Sequence, residues 1–123
     1  MFVLNKNDSN IIDQICLKNG EKEEVLNVSL HITADLVSNY RKLQIQLLEA
    51  QKLDKTIPEN IEKIGKIVFD ILCLLLGNEN TKKIIDFFED DYVLALSQLT
   101  PYISNTLVPK MTSFLKQYKK KFK

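Results

Sequence analysis

The chain has 123 residues, 45% of them apolar, and a formal net charge of +1. That length fits a single domain of ordinary size, about 100–150 residues, able to bury roughly two thirds of the surface its unfolded form exposes and to fold without staples. A near-neutral chain has no global field to gather nucleic acid or an acidic surface, which leaves only local clusters to consider.

The expected fold class is α+β, mainly α: an N-terminal β-hairpin over 11–32, a bundle of four to five helices over 33–118, and a basic, fraying end at 119–123, all in one domain spanning 1–123. Residues Ile11 to Leu17 and Val25 to Ile32 carry apolar side chains at near-alternate positions, the strand period. Between them Asn19-Gly20 suits a type I′ turn, in which both central residues take positive φ. In the second arm Leu26, Val28, Leu30 and Ile32 face one way and Asn27, Ser29 and His31 the other, so one face needs a helical cover.

From Thr33, a capping residue, the period becomes helical: Leu36, Tyr40, Leu43, Leu47 and Ala50, with Val37 and Leu48 widening the stripe, predict a helix to about Leu53. Thr56-Ile57-Pro58-Glu59 matches a capping box for a second helix, whose stripe of Ile61, Ile64, Val68, Ile71, Leu72 and Leu75 ends at Gly77. Asn78 or Asn80 would cap a third helix with Ile84, Ile85, Phe87 and Phe88. Glu89-Asp90-Asp91 suits the positive dipole end of a fourth, lined by Tyr92, Val93, Leu96 and Leu99. Pro101 would open a further segment, and Pro109 predicts a kink or break near Leu107-Val108 in the stripe Tyr102, Ile103, Leu107, Met111, Phe114, Leu115 and Tyr118.

Side chains equipped for chemistry are few. The one histidine, His31, sits on the polar strand face with no neighbouring nucleophile motif, and the three glycines are isolated, which builds neither a phosphate-cradling loop nor a dinucleotide fingerprint. Three consecutive carboxylates at 89–91 point in different directions and do not match the alternate ligand spacing of a calcium loop. Cys16 and Cys73 lie among apolar neighbours and read as buried free thiols, without C-x-x-C spacing for zinc. No cofactor, metal or catalytic residue is expected, and the chain reads as a non-enzyme.

The N-terminus turns polar at Asn5 to Asp8, too soon for a signal peptide, and the apolar stretch from Ile67 to Leu76 is broken by Asp70 and far short of the roughly 20 residues of a membrane span. A cytoplasmic location with no membrane partner follows as the expectation. Residues 110–123 hold six lysines and no acid, with Phe114, Tyr118 and Phe122 at four-residue spacing. That pattern fits a solvated helix end, and less well a phosphate-binding surface. Aromatic and proline residues in the C-terminal half, with the adjoining lysine, make Tyr92, Tyr102, Pro109, Lys110, Phe114 and Tyr118 the candidate protein-binding residues.

The stretch Gly77-Asn78-Glu79-Asn80-Thr81-Lys82-Lys83-Ile84-Ile85-Asp86-Phe87-Phe88-Glu89-Asp90-Asp91-Tyr92, followed by Pro101-Tyr102-Ile103 and Val108-Pro109-Lys110-Met111, resembles small tail proteins of phages and prophages from Gram-positive bacteria, themselves similar to tail assembly chaperones. The resemblance covers about residues 30–118 and rests on packing and capping patterns. It implies a cytoplasmic protein of the bacterial host, encoded between the tail tube and tape measure genes, that binds the tape measure protein and/or the tail tube protein during tail morphogenesis and can self-associate. It also implies a longer form made by ribosomal frameshifting, for which the codons of Lys119-Lys120-Lys121 would offer an adenine-rich slip site. The competing readings are a structural or connector protein retained in the particle and a small nucleic-acid-binding regulator using the lysine-rich end.

Overall fold

The computed structural model describes residues 1–4 and 10–121, at 118 and 121 the backbone alone. Two antiparallel strands, β1 (Asn10–Asn19) and β2 (Lys22–His31), are followed by α1 (Ala34–Gln51), α2 (Pro58–Leu76), α3 (Asn78–Phe87), α4 (Tyr92–Tyr102), a π-helical turn (Ile103–Leu107) and α5 (Val108–Lys121). This is the α+β, mainly helical arrangement that the change of period at Thr33 indicates. No helix among the described residues is long and apolar enough to cross a membrane.

The hairpin obeys its alternation. Ile11 pairs with Leu30 and Ile15 with Leu26, and these side chains join Val28 and Ile32 against the helices, while Asn27, Ser29 and His31 stay exposed. Cys16 is exposed, not buried. Its apolar neighbours Ile15 and Leu17 point inward, and in a strand that sends the residue between them outward. The turn also lies one residue further on than Asn19-Gly20. Asn19 pairs with Lys22, so Gly20 and Glu21 are the central residues, and of these two only Gly20 has positive φ, +63°, the type II′ pattern. On β1, Asp13 Oδ1 accepts from the Gln14 N–H at 2.8 Å, and across the ribbon Gln14 Nε2 donates to Asn27 Oδ1 at 3.1 Å.

Thr33 caps α1 as expected, its Oγ1 accepting from the Leu36 N–H at 3.1 Å. Leu48 does not widen the buried stripe; it is 61% exposed on the side of the helix that faces away from Tyr40 and Ala50. The capping box at Thr56–Glu59 does not form. Asp54 takes the Thr56 N–H and hydroxyl, at 2.9 and 2.7 Å, which leaves Ile57 as the N-cap of α2 with Pro58 in the first turn. These two hydrogen bonds hold the Asp54 carboxyl below the usual carboxylate range.

The central helix is α2, with Val68 and Leu72 fully buried between the hairpin, α1, α3 and α4. A single residue, Gly77, joins it to α3 with φ 89° and ψ 159°, a region open essentially to glycine alone. Neither Asn78 nor Asn80 caps α3. Asn78 is its first residue, and the Asn80 amide instead donates to the carbonyls of Asn27 on β2 and Leu76 on α2, at 2.8 and 3.0 Å. Thr81, fully buried, gives its hydroxyl to the Gly77 carbonyl at 2.8 Å.

The acidic run does begin α4: Asp91 Oδ1 accepts from the Leu94 N–H at 3.0 Å, after a reversal in which Glu89 and Asp90 take φ of 53° and 66°. Helix α4 then runs through Pro101 rather than restarting there, with the Thr100 hydroxyl donating to the Leu96 carbonyl at 2.7 Å. At Leu107-Val108 the chain neither breaks nor leaves the helical region. It passes through the π turn, in which the Val108 N–H reaches the Ile103 carbonyl.

Side-chain spacing supplies the reason for that turn. Ala95, Leu99, Ile103, Leu107 and Met111 are all buried and recur at strict intervals of four. On an uninterrupted α-helix each such step overshoots a full turn by about 40°, which would fan the five over roughly 160°. One extra residue in a turn sets the following helix back by about 100°, so Leu107 and Met111 return to the face of Leu99.

Candidate protein-binding surfaces

The six residues singled out by the sequence are strung along the helical run from Tyr92 to Tyr118, roughly 39 Å if straight, and do not gather into one patch. Tyr92 lies half-buried at the start of α4 and packs on α2, where a side chain on Gly65 would place its Cβ 3.2 Å from the Tyr92 ring. Tyr102 is half-buried at the far end of α4, its hydroxyl donating to Asp13 Oδ2 on β1 at 3.1 Å. Burial, and then the carboxylate that holds its proton, push the Tyr102 phenol up to about 12. Pro109 and Lys110 are exposed, whereas Phe114, one turn on, packs against the core. The Tyr118 side chain lies outside the described residues. Lys116, Gln117, Lys119 and Lys120 are all exposed.

Among the concave surfaces beside α2 are two lined by its first half. The first lies between α1 and α2, about 550 Å³, with Ala50, Leu53 and Ile67 as apolar lining and Gln46, Glu49, Lys63, Lys66 and Asp70 along its edges. The second, about 500 Å³, lies between the first half of α2 and the turn into α4. It is lined by Ile61, Gly65, Phe69 and Tyr92 together with Glu62, Lys66 and Asp90. The absence of a side chain at Gly65 lets the Tyr92 ring lie against the α2 backbone and so shapes that cleft.

Apolar surface around the tip where α1 turns into α2 was not singled out by the sequence reading. Ile45 and Leu48 are 57% and 61% exposed, followed by Leu53, Ile57 and Ile61 at 38%, 43% and 51%. The signal was present. Ile45 and Leu48 fall outside the stripe of Leu36, Tyr40, Leu43, Leu47 and Ala50 and define a second, narrower stripe on α1. Ile57 and Ile61 continue the buried face of α2 into turns that nothing covers.

His31 Nδ1 lies 2.7 Å from Asn10 Oδ1, and among the described residues no group of three or more His, Cys, Asp or Glu is arranged to hold a metal ion. Both thiols are unlinked, and burial pushes the Cys73 thiol up. Set against family models, curated proteins and solved structures, the chain matches none.

Proposed function

We propose that this chain works by binding, not by catalysis, and that it holds an amphipathic helix of a partner protein against the α1–α2 tip and groove. The observation that carries the reading is the set of five large apolar side chains, Ile45, Leu48, Leu53, Ile57 and Ile61, left exposed along the end of α1 and the start of α2, of which Leu53 also lines the groove of Ala50 and Ile67. Apolar groups scattered singly over a surface need no explanation; a concentration at one end of a helical hairpin, next to a groove, is the ordinary form of a helix-docking site.

The stretches at 77–92, 101–103 and 108–111 give the partner its identity through their resemblance to phage and prophage tail assembly chaperones. On that reading the partner is the tape measure protein, a long helical protein whose apolar stripes need cover until tail tube subunits enclose it. Binding at exposed aliphatic side chains with charged edges is of the reversible kind such a handover requires.

Co-expression with the tape measure protein of the same genome tests this. The intact chain is expected to keep the partner in the soluble fraction, and Ile45→Asp with Leu48→Asp, both on exposed positions, to lose it while unfolding at the same urea concentration as the parent. Equal recovery of soluble partner with and without the chain would remove the proposal. Mass spectrometry of finished particles then separates a chaperone, absent from them, from a connector protein that stays.

A further inference from the structure

The groove between α1 and α2 does not end at the tip. The hollow of Ala50, Leu53 and Ile67 shares Gln46 and Asp70 with a further hollow of about 490 Å³, which carries the groove on past Leu43 and Leu74 to Asn39 and Asn78. Along α1, from Leu53 back to Asn39, the two together run roughly 21 Å, the length of about four helical turns.

The lining keeps a regular rhythm. It falls at positions 39, 42–43, 46, 49–50 and 53 of α1 and at 63, 66–67, 70 and 73–74 of α2. Steps of three and four residues are the heptad spacing by which helices seat one another in coiled coils. The two helices run antiparallel, Leu53 sharing one hollow with Lys63 and Leu43 the other with Leu74, and both turn such a stripe toward the same outward groove. They are two sides of a three-helix bundle whose third place this chain does not fill.

Charge gives the missing helix its chemistry. Nearest the tip, Glu49 on α1 shares the groove with Lys63 and Lys66 on α2, and seven residues further along each helix Lys42 shares it with Asp70. The signs are thus reversed from one heptad to the next on both sides. Among the described residues none of these five groups is in an ion pair, which leaves them to a partner. We infer that the groove, over its full length, seats a four-turn amphipathic helix of another protein, with apolar residues at heptad spacing. Its flank along α2 carries acids against Lys63 and Lys66 and a base one heptad on against Asp70, and its flank along α1 carries the opposite order. Sliding that helix by one heptad would set like charges face to face, so the groove also fixes its register. The inference rests on the partner-binding reading above and extends it from the tip to a helix of defined length and charge pattern.

The complex with co-expressed tape measure protein supplies the test, because Cys73 lines the far half of the groove. In a Cys16→Ser background Cys73 is the one thiol left in this chain, and its rate of maleimide labelling is read from the mass of the chain, free and in the complex. A seated helix is expected to slow that labelling at least about tenfold. Two charge variants on exposed positions probe the two halves: Lys63→Glu with Lys66→Glu near the tip, and Lys42→Glu at the far end. From tape measure protein held on a surface at low salt, each is expected to dissociate at least about tenfold faster than the parent. Circular dichroism and urea midpoints equal to the parent's establish that all three variants fold.

A stable complex in which Cys73 is labelled at the free-chain rate overturns the inference and leaves binding at the tip standing. So does a complex from which either folded charge variant dissociates no faster than the parent. Failure to form any complex with the tape measure protein overturns both readings together.

Discussion

The π turn between α4 and α5 offers a sharp test of why the C-terminal run is built as it is. If its extra residue serves to re-phase the buried stripe, removing that residue should return the turn to ordinary α-helix and leave the residues on either side facing as before. The perturbation is deletion of Asn105, an exposed position inside the turn, in a Pro109→Ala background that removes the ring clash a regular helix would suffer there. The control, in the same background, is deletion of Gln98, exposed on the regular part of α4. Losing one residue from a regular helix swings one side relative to the other by about 100°. Either Tyr92 and Ala95 then leave their sites, or Leu99, Ile103, Leu107 and Met111 do. Even the smaller set removes a half-buried tyrosine and a fully buried methyl, together about 3 kcal/mol at the usual value of burial. For a chain of this size each kcal/mol is worth about 3–5 °C in Tm, so the Gln98 deletion should lower the thermal midpoint by about 10 °C or more. Deletion of Asn105 should cost about 1 kcal/mol or less and leave the midpoint within about 5 °C of the background. Thermal unfolding followed by far-UV circular dichroism measures both. Equal losses from the two deletions would refute the re-phasing account and make the turn a consequence of Pro109 alone.

Replacing Gly77 with alanine should destabilise the fold by about 1–3 kcal/mol, seen as a lower urea midpoint at unchanged slope. Nothing lies within 4 Å of the added Cβ, so the loss would come from the backbone conformation and not from a clash, and a neutral substitution would show that the α2–α3 joint is not held at φ 89°. Tyr102 gives the fold a pH dependence whose sign is fixed. Its phenol is held up to about 12 in the folded chain against about 10 when unfolded, so the folded state keeps a proton that the unfolded state gives up. The associated stability is complete below about pH 10 and is lost as pH rises through about 12. Urea midpoints of the parent should therefore fall more steeply over that interval than those of Tyr102→Phe, and parallel slopes would remove the Tyr102–Asp13 pair as the cause.

Much of the architecture was legible because burial leaves a periodic trace. The alternation of Leu26, Val28, Leu30 and Ile32 placed β2 correctly, and the stripe from Ile64 to Leu75 marked α2 as the central helix. The structure departs from the sequence pattern where two local rules compete. The apolar neighbours of Cys16 suggest burial, whereas the strand period that defines the hairpin sends it outward. Thr56 and Glu59 have capping-box spacing, but Asp54 offers Thr56 a nearer carboxylate. Pro101 and Pro109 marked interruptions, yet the four-residue rhythm from Ala95 to Met111 favours one continuous helical run with a single widened turn. The candidate surfaces were less legible. A cleft such as that of Ile61, Phe69 and Tyr92 is made by contacts between segments far apart in sequence, and of its lining only Tyr92 stands out as a candidate binding residue in the sequence.

A hairpin of two strands has two open borders, and open borders invite further strands. At the Gln14–Asn27 rung both are closed from within. Asp13 occupies the Gln14 amide on one border, Asn80 occupies the Asn27 carbonyl on the other, and the two side chains of the rung bond to each other. An incoming strand would find its ladder interrupted midway along either border and would have to displace a side-chain amide or carboxylate to continue. The ribbon is thereby steered away from amyloid-like stacking.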